Sequence, residues 1–175
     1  DLRDLLDAHL ARNARVTLAV TPNPAPRRYG GVLANADGWV RGFARAGDPR
    51  DPAHFVGVQI ADASVFETLP DGVPATSIGG LYDTLLAHPG QVAAHHIVGR
   101  VHDIGTTADY LETTRKVAAD ESHPAVPRGL RHVVHPSARL ERSVLWDDVT
   151  VGAGCVVTDC ILADGVHLAE GTTLN

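Results

Sequence analysis

The sequence predicts an α/β unit followed by a short left-handed parallel β-helix. Two periodicities predict it. From the start of the chain to about residue 119, short apolar alternations give way to helix-spaced leucines and back again, an alternation of strand and helix. From residue 133 to 174, aliphatic residues recur in rough six-residue steps, among them Val134 to Leu140, Val151 to Val157, Val166 to Thr172 and Leu168 to Leu174. Three such steps would make one triangular turn, so this stretch amounts to about two coils of a stacked, repeat-built fold. A third feature joins the two parts: Asp103-Ile104-Gly105-Thr106 sets one acidic side chain at an expected strand end, directly before a helix.

The elements follow in order. Leu2, Leu5, Leu6 and Leu10 lie at helix spacing, and Asn13 can close that helix. Val16, Leu18 and Val20 alternate with Arg15, Thr17 and Ala19, as in a half-buried strand. Pro22, Pro24 and Pro26 then force a loop. Val32-Leu33-Ala34, the turn Asn35-Ala36-Asp37-Gly38, and Trp39 to Phe43 read as a hairpin. A loop from Ala44 to Ala53 leads to a strand over Phe55 to Ile60. Asp62 can cap a short helix through Leu69, Gly80 to Ala87 is helical, and Val92 to Val98 is the next strand. Thr106 can cap a helix with Asp109 three residues on, a carboxylate form of the capping box, and that helix runs to about Ala119. The domain plan is therefore 1–119, a Pro- and Gly-containing linker over 120–132, and the β-helix over 133–175. In the β-helix, Gly152, Gly154, Gly165 and Gly171 would turn the corners, while Ala138, Cys155 and Thr172 would point into the interior.

Composition removes several classes of function. The chain has 175 residues, 44% of them hydrophobic, which suffices for an ordinary core. A formal charge of −6 with no basic stripe argues against a nucleic-acid surface. A highly anionic substrate would need a cation. No apolar run approaches the roughly 18 residues of a membrane span, and the start is unlike a signal peptide, so no membrane association and a cytoplasmic location are expected. Cys155 and Cys160 make neither a disulfide framework nor a zinc site. Ten histidines invite a metal reading, but His95 and His96 point to opposite faces of a strand, as do His132 and His135 if extended. His102, beside Asp103, is at most a modulator.

Taken together, Tyr29-Gly30-Gly31-Val32, Asp37-Gly38 before Val40-Arg41-Gly42-Phe43, Phe55-Val56-Gly57-Val58, Asp103-Ile104-Gly105-Thr106 and Asp109-Tyr110-Leu111, with the hexapeptide tail, resemble the sugar-1-phosphate nucleotidyltransferases. Mannose-1-phosphate guanylyltransferases and glucose-1-phosphate thymidylyltransferases are the most similar in layout. The resemblance implies that residues 1–119 are the C-terminal, sugar-phosphate part of a Rossmann-like nucleotidyltransferase domain. It implies as substrates a nucleoside triphosphate, with GTP one candidate, and a sugar 1-phosphate, with Mg2+ as cofactor. Asp103 matches the second of the family's two metal aspartates and is the candidate catalytic residue. Taken alone, it reads equally as a residue that ends a strand and caps a turn. Tyr29, Gly30 and Gly31 match the loop whose backbone touches the sugar; Gly105 and Thr106 lie toward phosphate at a helix N-terminus.

This chain also departs from the family pattern. A glutamate-lysine-proline triplet is replaced by Arg45-Ala46-Gly47, where Arg45 either binds phosphate bidentately or is an ordinary solvated arginine. An asparagine-alanine-glycine segment is replaced by Phe55-Val56-Gly57, after His54, and only Gly57 carries over. No glycine-rich phosphate loop occurs, there is no methionine, and the chain opens inside a helical pattern. The expectation is therefore a piece of a longer enzyme, with negligible turnover by itself. The alternative is a non-catalytic regulatory or assembly subunit. A hexapeptide acyltransferase would require more coils. Stacked coils leave open ends and flat faces, so a homo-oligomer formed through the β-helix is expected.

Overall fold

The fold is that of a computed structural model, which describes residues 1–99, 101–120 and 128–175. It divides into two compact units, Asp1–Val101 and His102–Asn175. The division falls between Val101 and His102 rather than in residues 120–132. Of that expected linker, residues 121–127 lie outside the described residues.

The first unit is built on a three-stranded mixed sheet. Helix α1 (Leu2–Arg12) starts at Asp1, whose carboxylate accepts from the Arg3 amide at 2.9 Å, and ends at Asn13 in the left-handed conformation (φ 50°). Strand β1 (Val16–Thr21) is central: it pairs antiparallel with β4 (His54–Ala61) and parallel with β5 (Val92–His96). All six β1 residues are buried, so the expectation of a half-buried strand is corrected. The alternation of small polar and branched residues marks two covered faces, because Thr17 satisfies its hydroxyl internally. Thr17 Oγ1 and His9 Nδ1 share a hydrogen bond of 2.9 Å beneath α1, and His9 Nε2 lies 3.5 Å from Asp62 Oδ1. That carboxylate favours a proton on Nε2, which leaves Nδ1 to accept from Thr17. Burial pushes the phenol of the fully enclosed Tyr82 upward, with the Gln59 side chain partly offsetting it.

The hairpin forms as its turn chemistry dictates. Strands β2 (Gly31–Ala34) and β3 (Val40–Ala44) pair antiparallel, Gly38 donates its amide to the Asn35 carbonyl at 2.9 Å, and Asn35 Oδ1 accepts from Trp39 at 2.8 Å. Gly38 has φ +82°, and a Cβ there would crowd the Ala94 carbonyl at 3.1 Å. Arg12 fastens α1 to this turn by donating to the Asp37 carbonyl at 2.6 Å.

Three other expectations change. The helix capped by Asp62 shrinks to a 3-10 turn, Ala63–Val65, with no side-chain cap, because the Asp62 carboxylate faces His9. The helix from Gly80 starts later, as α2 (Tyr82–Leu85), since Ile78, Gly79 and Gly80 hold non-helical backbone angles. The strand expected through Val98 stops at His96.

Among the described residues of the second unit, α3 (Thr107–Asp120) precedes eight short strands: β6 (Val133–Val134), β7 (Arg139–Glu141), β8 (Val144–Leu145), β9 (Thr150–Val151), β10 (Val156–Thr158), β11 (Ile161–Leu162), β12 (His167–Leu168) and β13 (Thr173–Leu174). They form three parallel ladders, β6-β9-β12, β7-β10-β13 and β8-β11. Each strand pairs with the one 17 residues away, as Val133 with Thr150 and Thr150 with His167. The steps between inward aliphatic residues are thus six, five and six, as in Val134, Leu140, Leu145 and Val151, rather than three equal sixes. One face is a residue short.

The corners explain the arrangement of charges. Arg131 and Asp148 (φ 53° and 57°) stack above Gly165 (φ 71°), and Arg142 stacks on Asp159 (φ 46° and 54°). Each arginine donates from Nε and Nη2 to both oxygens of the aspartate 17 residues on, at 2.6 to 2.8 Å. Gly154 and Gly171 turn a third corner, again with positive φ. Gly152 does not: its φ is ordinary, and a Cβ would meet the Glu170 amide and Leu168 carbonyl at 2.9 Å, so it is glycine for close packing between repeats. Cys155 is fully buried with Ala138 packed on the same cluster, as expected, while Thr172 is half-buried and bonds the Ala169 carbonyl. Trp146 Nε1 donates to Tyr110 Oη at 3.0 Å with the rings edge to face, which groups α3 with the ladders.

Candidate functional site

A pocket of about 260 Å³ opens in the first unit, and the expected sugar loop forms part of its wall. Tyr29, Gly30 and Gly31 supply one side, and Val32, Phe43 and Ala44 of the hairpin another. His54 and Phe55 from the start of β4, with Ile78 from the kinked segment, complete it. Asn23 shapes the loop, donating from Nδ2 to the Tyr29 and Gly30 carbonyls at 3.2 and 3.3 Å while its Oδ1 accepts from the Ala25 amide at 3.1 Å. The Tyr29 and His54 rings lie 4.8 Å apart, tilted by 49°, and the Arg28 guanidinium stands 5.1 Å over the Tyr29 ring.

Gly30 and Gly31 have a reason to be glycine within the fold itself. A Cβ on Gly30 would collide with the Ala44 carbonyl, and one on Gly31 with the Ala53 carbonyl. The loop therefore approaches two backbones before any ligand is considered. Arg45 is exposed and follows Ala44 directly, so its backbone borders Gly30 at the pocket rim. Beyond it, Arg50 donates twice to the Asp48 carboxylate, holding that group down to about 2. Gly57 sits apart from the pocket lining, in a bulge of β4 opposite Ala19, with φ +80° and open space around it.

Asp103, Gly105 and Thr106 belong to the second unit. Asp103 is exposed in an irregular segment and does not end a strand, since β5 stops seven residues earlier at His96. The strand expected to run through Val98 misled here, since Val98 is fully exposed. Thr106 does cap α3: its Oγ1 accepts from the Asp109 amide at 3.1 Å and donates to Asp109 Oδ2 at 2.8 Å. Its hydroxyl is thus committed to the helix. Gly105 lies next to that cap with only Asp109 Oδ2 near, at 3.8 Å from a built Cβ.

The donor set limits which metal arrangement fits. Among the described residues no three His, Cys, Asp or Glu side chains converge as a cage. Mg2+ takes hard oxygen ligands and often only one or two carboxylates, with water and phosphate completing its shell. Asp103 is a single exposed carboxylate in its irregular segment. Three of the histidines have other partners: His95 Nε2 lies 2.8 Å from Asp4 Oδ2, His132 Nδ1 donates to the Gly129 carbonyl at 2.9 Å, and His135 Nδ1 accepts from the Ser137 amide at 3.2 Å. Sequence reasoning passed over Phe43 and Ile78 as pocket residues, and Asn23 as the residue that shapes the loop beside them. No local pattern marks them, because they meet only through the tertiary fold.

Residues 129–174 match the family model described as GlmU-like, C-terminal hexapeptide. Over 186 aligned residues the chain is 25% identical to a mannose-1-phosphate guanylyltransferase of Mycobacterium tuberculosis (strain ATCC 25618 / H37Rv), covering 90% of this chain and 52% of that protein. The chain spans about half the length of the curated relative it matches. Among the described residues, no helix is long and apolar enough to cross a membrane. The hexapeptide match and the 25% identity support a relationship to the sugar-1-phosphate nucleotidyltransferases, with a hexapeptide tail.

Proposed function

We propose that this chain carries the sugar-phosphate side of a sugar-1-phosphate nucleotidyltransferase, cytoplasmic and with a preference for a guanylyl donor. A sugar-phosphate oxygen attacks the α-phosphorus of a nucleoside triphosphate, the bond to the outer two phosphates breaks, and pyrophosphate leaves. The observation that carries the reading is the pocket walled by Tyr29, Gly30 and Gly31. Backbone approach at these residues orients the sugar ring, without Gly57, which lies outside the pocket lining. Arg45 at the rim binds phosphate through its planar fork. Gly105 and Thr106 precede the N-terminus of α3, whose dipole favours phosphate. Asp103 holds Mg2+, which when bound offsets the repulsion between the two polyanionic substrates.

In this reading residues 1–119 belong to a Rossmann-like nucleotidyltransferase domain, 120–132 link it to the tail, and 133–175 form a left-handed β-helix through which copies of the chain associate. A second reading, a regulatory or assembly subunit, draws support from Arg45-Ala46-Gly47 and from glycines that the fold requires without a ligand. Melting of the 175-residue chain with mannose 1-phosphate or GDP-mannose, with and without Mg2+, separates them. Ligand at a hundredfold excess over its Kd stabilises by about 2.7 kcal/mol, a rise of several degrees. A melting temperature unmoved by every combination favours the assembly subunit.

A further inference from the structure

We infer that the pocket prefers a sugar with an apolar face, a 6-deoxyhexose 1-phosphate over the corresponding hexose 1-phosphate; this rests on the proposed sugar site. The walls are largely hydrocarbon: Val32, Phe43, Phe55, Ile78 and Ala44. The lining side chains with a polar atom are Tyr29 and His54, and no carboxylate, carboxamide, lysine or arginine is among the lining residues. Those two rings pack against one another, tilted, at 4.8 Å, so they form one polar edge instead of a surrounding ring of partners. Such an edge can serve one or two hydroxyls.

A hexose 1-phosphate brings four hydroxyls, and one enclosed without a partner loses the hydrogen bonds it made to water. A methyl group in place of the exocyclic hydroxymethyl has no such loss and packs on Phe43, Phe55 or Ile78. The size agrees: about 260 Å³ lies below the roughly 300–1,000 Å³ of pockets for larger ligands and suits a monosaccharide. The phosphate then lies outward, toward the rim where Arg45 follows Ala44. Phe55 stands where the family resemblance led to a hydrogen-bonding residue, which shifts the lining the same way.

Calorimetric titration of the chain with 6-deoxy-α-D-mannose 1-phosphate and with α-D-mannose 1-phosphate tests this. The deoxy sugar should bind about tenfold tighter, the low end of what one mismatched group is worth in an apolar pocket. Equal affinity, or tighter binding of the hexose, overturns the inference and leaves the sugar site standing; binding of neither overturns both. Saturation-transfer NMR on the unaltered protein should show the deoxy methyl as the most strongly saturated group, and weaker saturation there than on the ring protons contradicts the inference. Ile78→Trp, which fills the pocket, should abolish binding without lowering the melting temperature; a folded variant that still binds overturns the assignment to this pocket. If the variant does not fold, the methyl saturation decides.

Discussion

Replacing Gly152 by alanine tests how the repeats are held together. The new Cβ would sit 2.9 Å from both the Glu170 amide nitrogen and the Leu168 carbonyl oxygen and 3.1 Å from the Ala169 carbonyl carbon. All three atoms are backbone of the next repeat. Ordinary contact begins near 3.4 Å, so the repeats must part by about 0.5 Å. That separation strains the Gly152 amide bond to the Leu168 carbonyl (2.9 Å) and the Gly171 amide bond to the Ala153 carbonyl (2.8 Å). Overpacking costs about 1–3 kcal/mol, and a weakened hydrogen bond adds about 0.5–1.5 kcal/mol. We expect a loss of about 2–4 kcal/mol. Gly154→Ala is the control, since its φ is +65° with nothing within 4 Å, so it loses only the left-handed penalty of about 1–2 kcal/mol. The unfolded-chain effect of Gly→Ala is common to both and cancels. The two tryptophans fall one to each unit, so urea unfolding followed by Trp146 fluorescence in a Trp39→Phe background reports the second unit. A midpoint for Gly152→Ala no lower than for Gly154→Ala would refute the close-packing argument.

Thr17→Val removes the partner of the buried His9 Nδ1 and should lower the stability of the first unit by about 1–3 kcal/mol, read by Trp39 fluorescence; an unchanged midpoint means the bond is immaterial. Thr106→Ala should cost about 0.5–2 kcal/mol and speed amide exchange in the first turn of α3, whereas Thr106→Ser should behave like the parent. The Arg142 guanidinium, bonded to both oxygens of Asp159, holds that carboxyl below its ordinary value. Its contribution is therefore complete above the unfolded value of about 3.9 and disappears as pH falls through the lower folded value. Below about pH 4 the parent should lose stability more steeply than Arg142→Gly, as an acid titration of Trp146 fluorescence would reveal; parallel curves contradict it.

Features written in local chemistry were legible in the sequence. Asn13 as a left-handed helix end, the Asn35 to Gly38 hairpin turn and the Thr106-Asp109 cap each depend on residues within four positions of one another. The repeat was legible because its aliphatic residues return at a fixed interval. Its true period of 17 was less so, since five-residue and six-residue steps look alike until the strands are paired. What escaped depends on tertiary neighbours. The burial of both faces of β1 comes from the elements packed on either side, and the truncated Asp62 helix from competition by His9. The pocket was half legible: Tyr29, Gly30 and Gly31 stand out as a motif, whereas Phe43 and Ile78 join them from distant positions. Asp103 was legible as a motif but not as a geometry.

The most direct test of the sugar-phosphate site is a 15N chemical-shift titration of the 175-residue chain with GDP-mannose and Mg2+. The account predicts that the Gly30, Gly31 and His54 amides shift together and saturably, and that the Asp103 amide responds only when Mg2+ is present. Shifts confined to residues 133–174, or none at all at millimolar ligand, would contradict it.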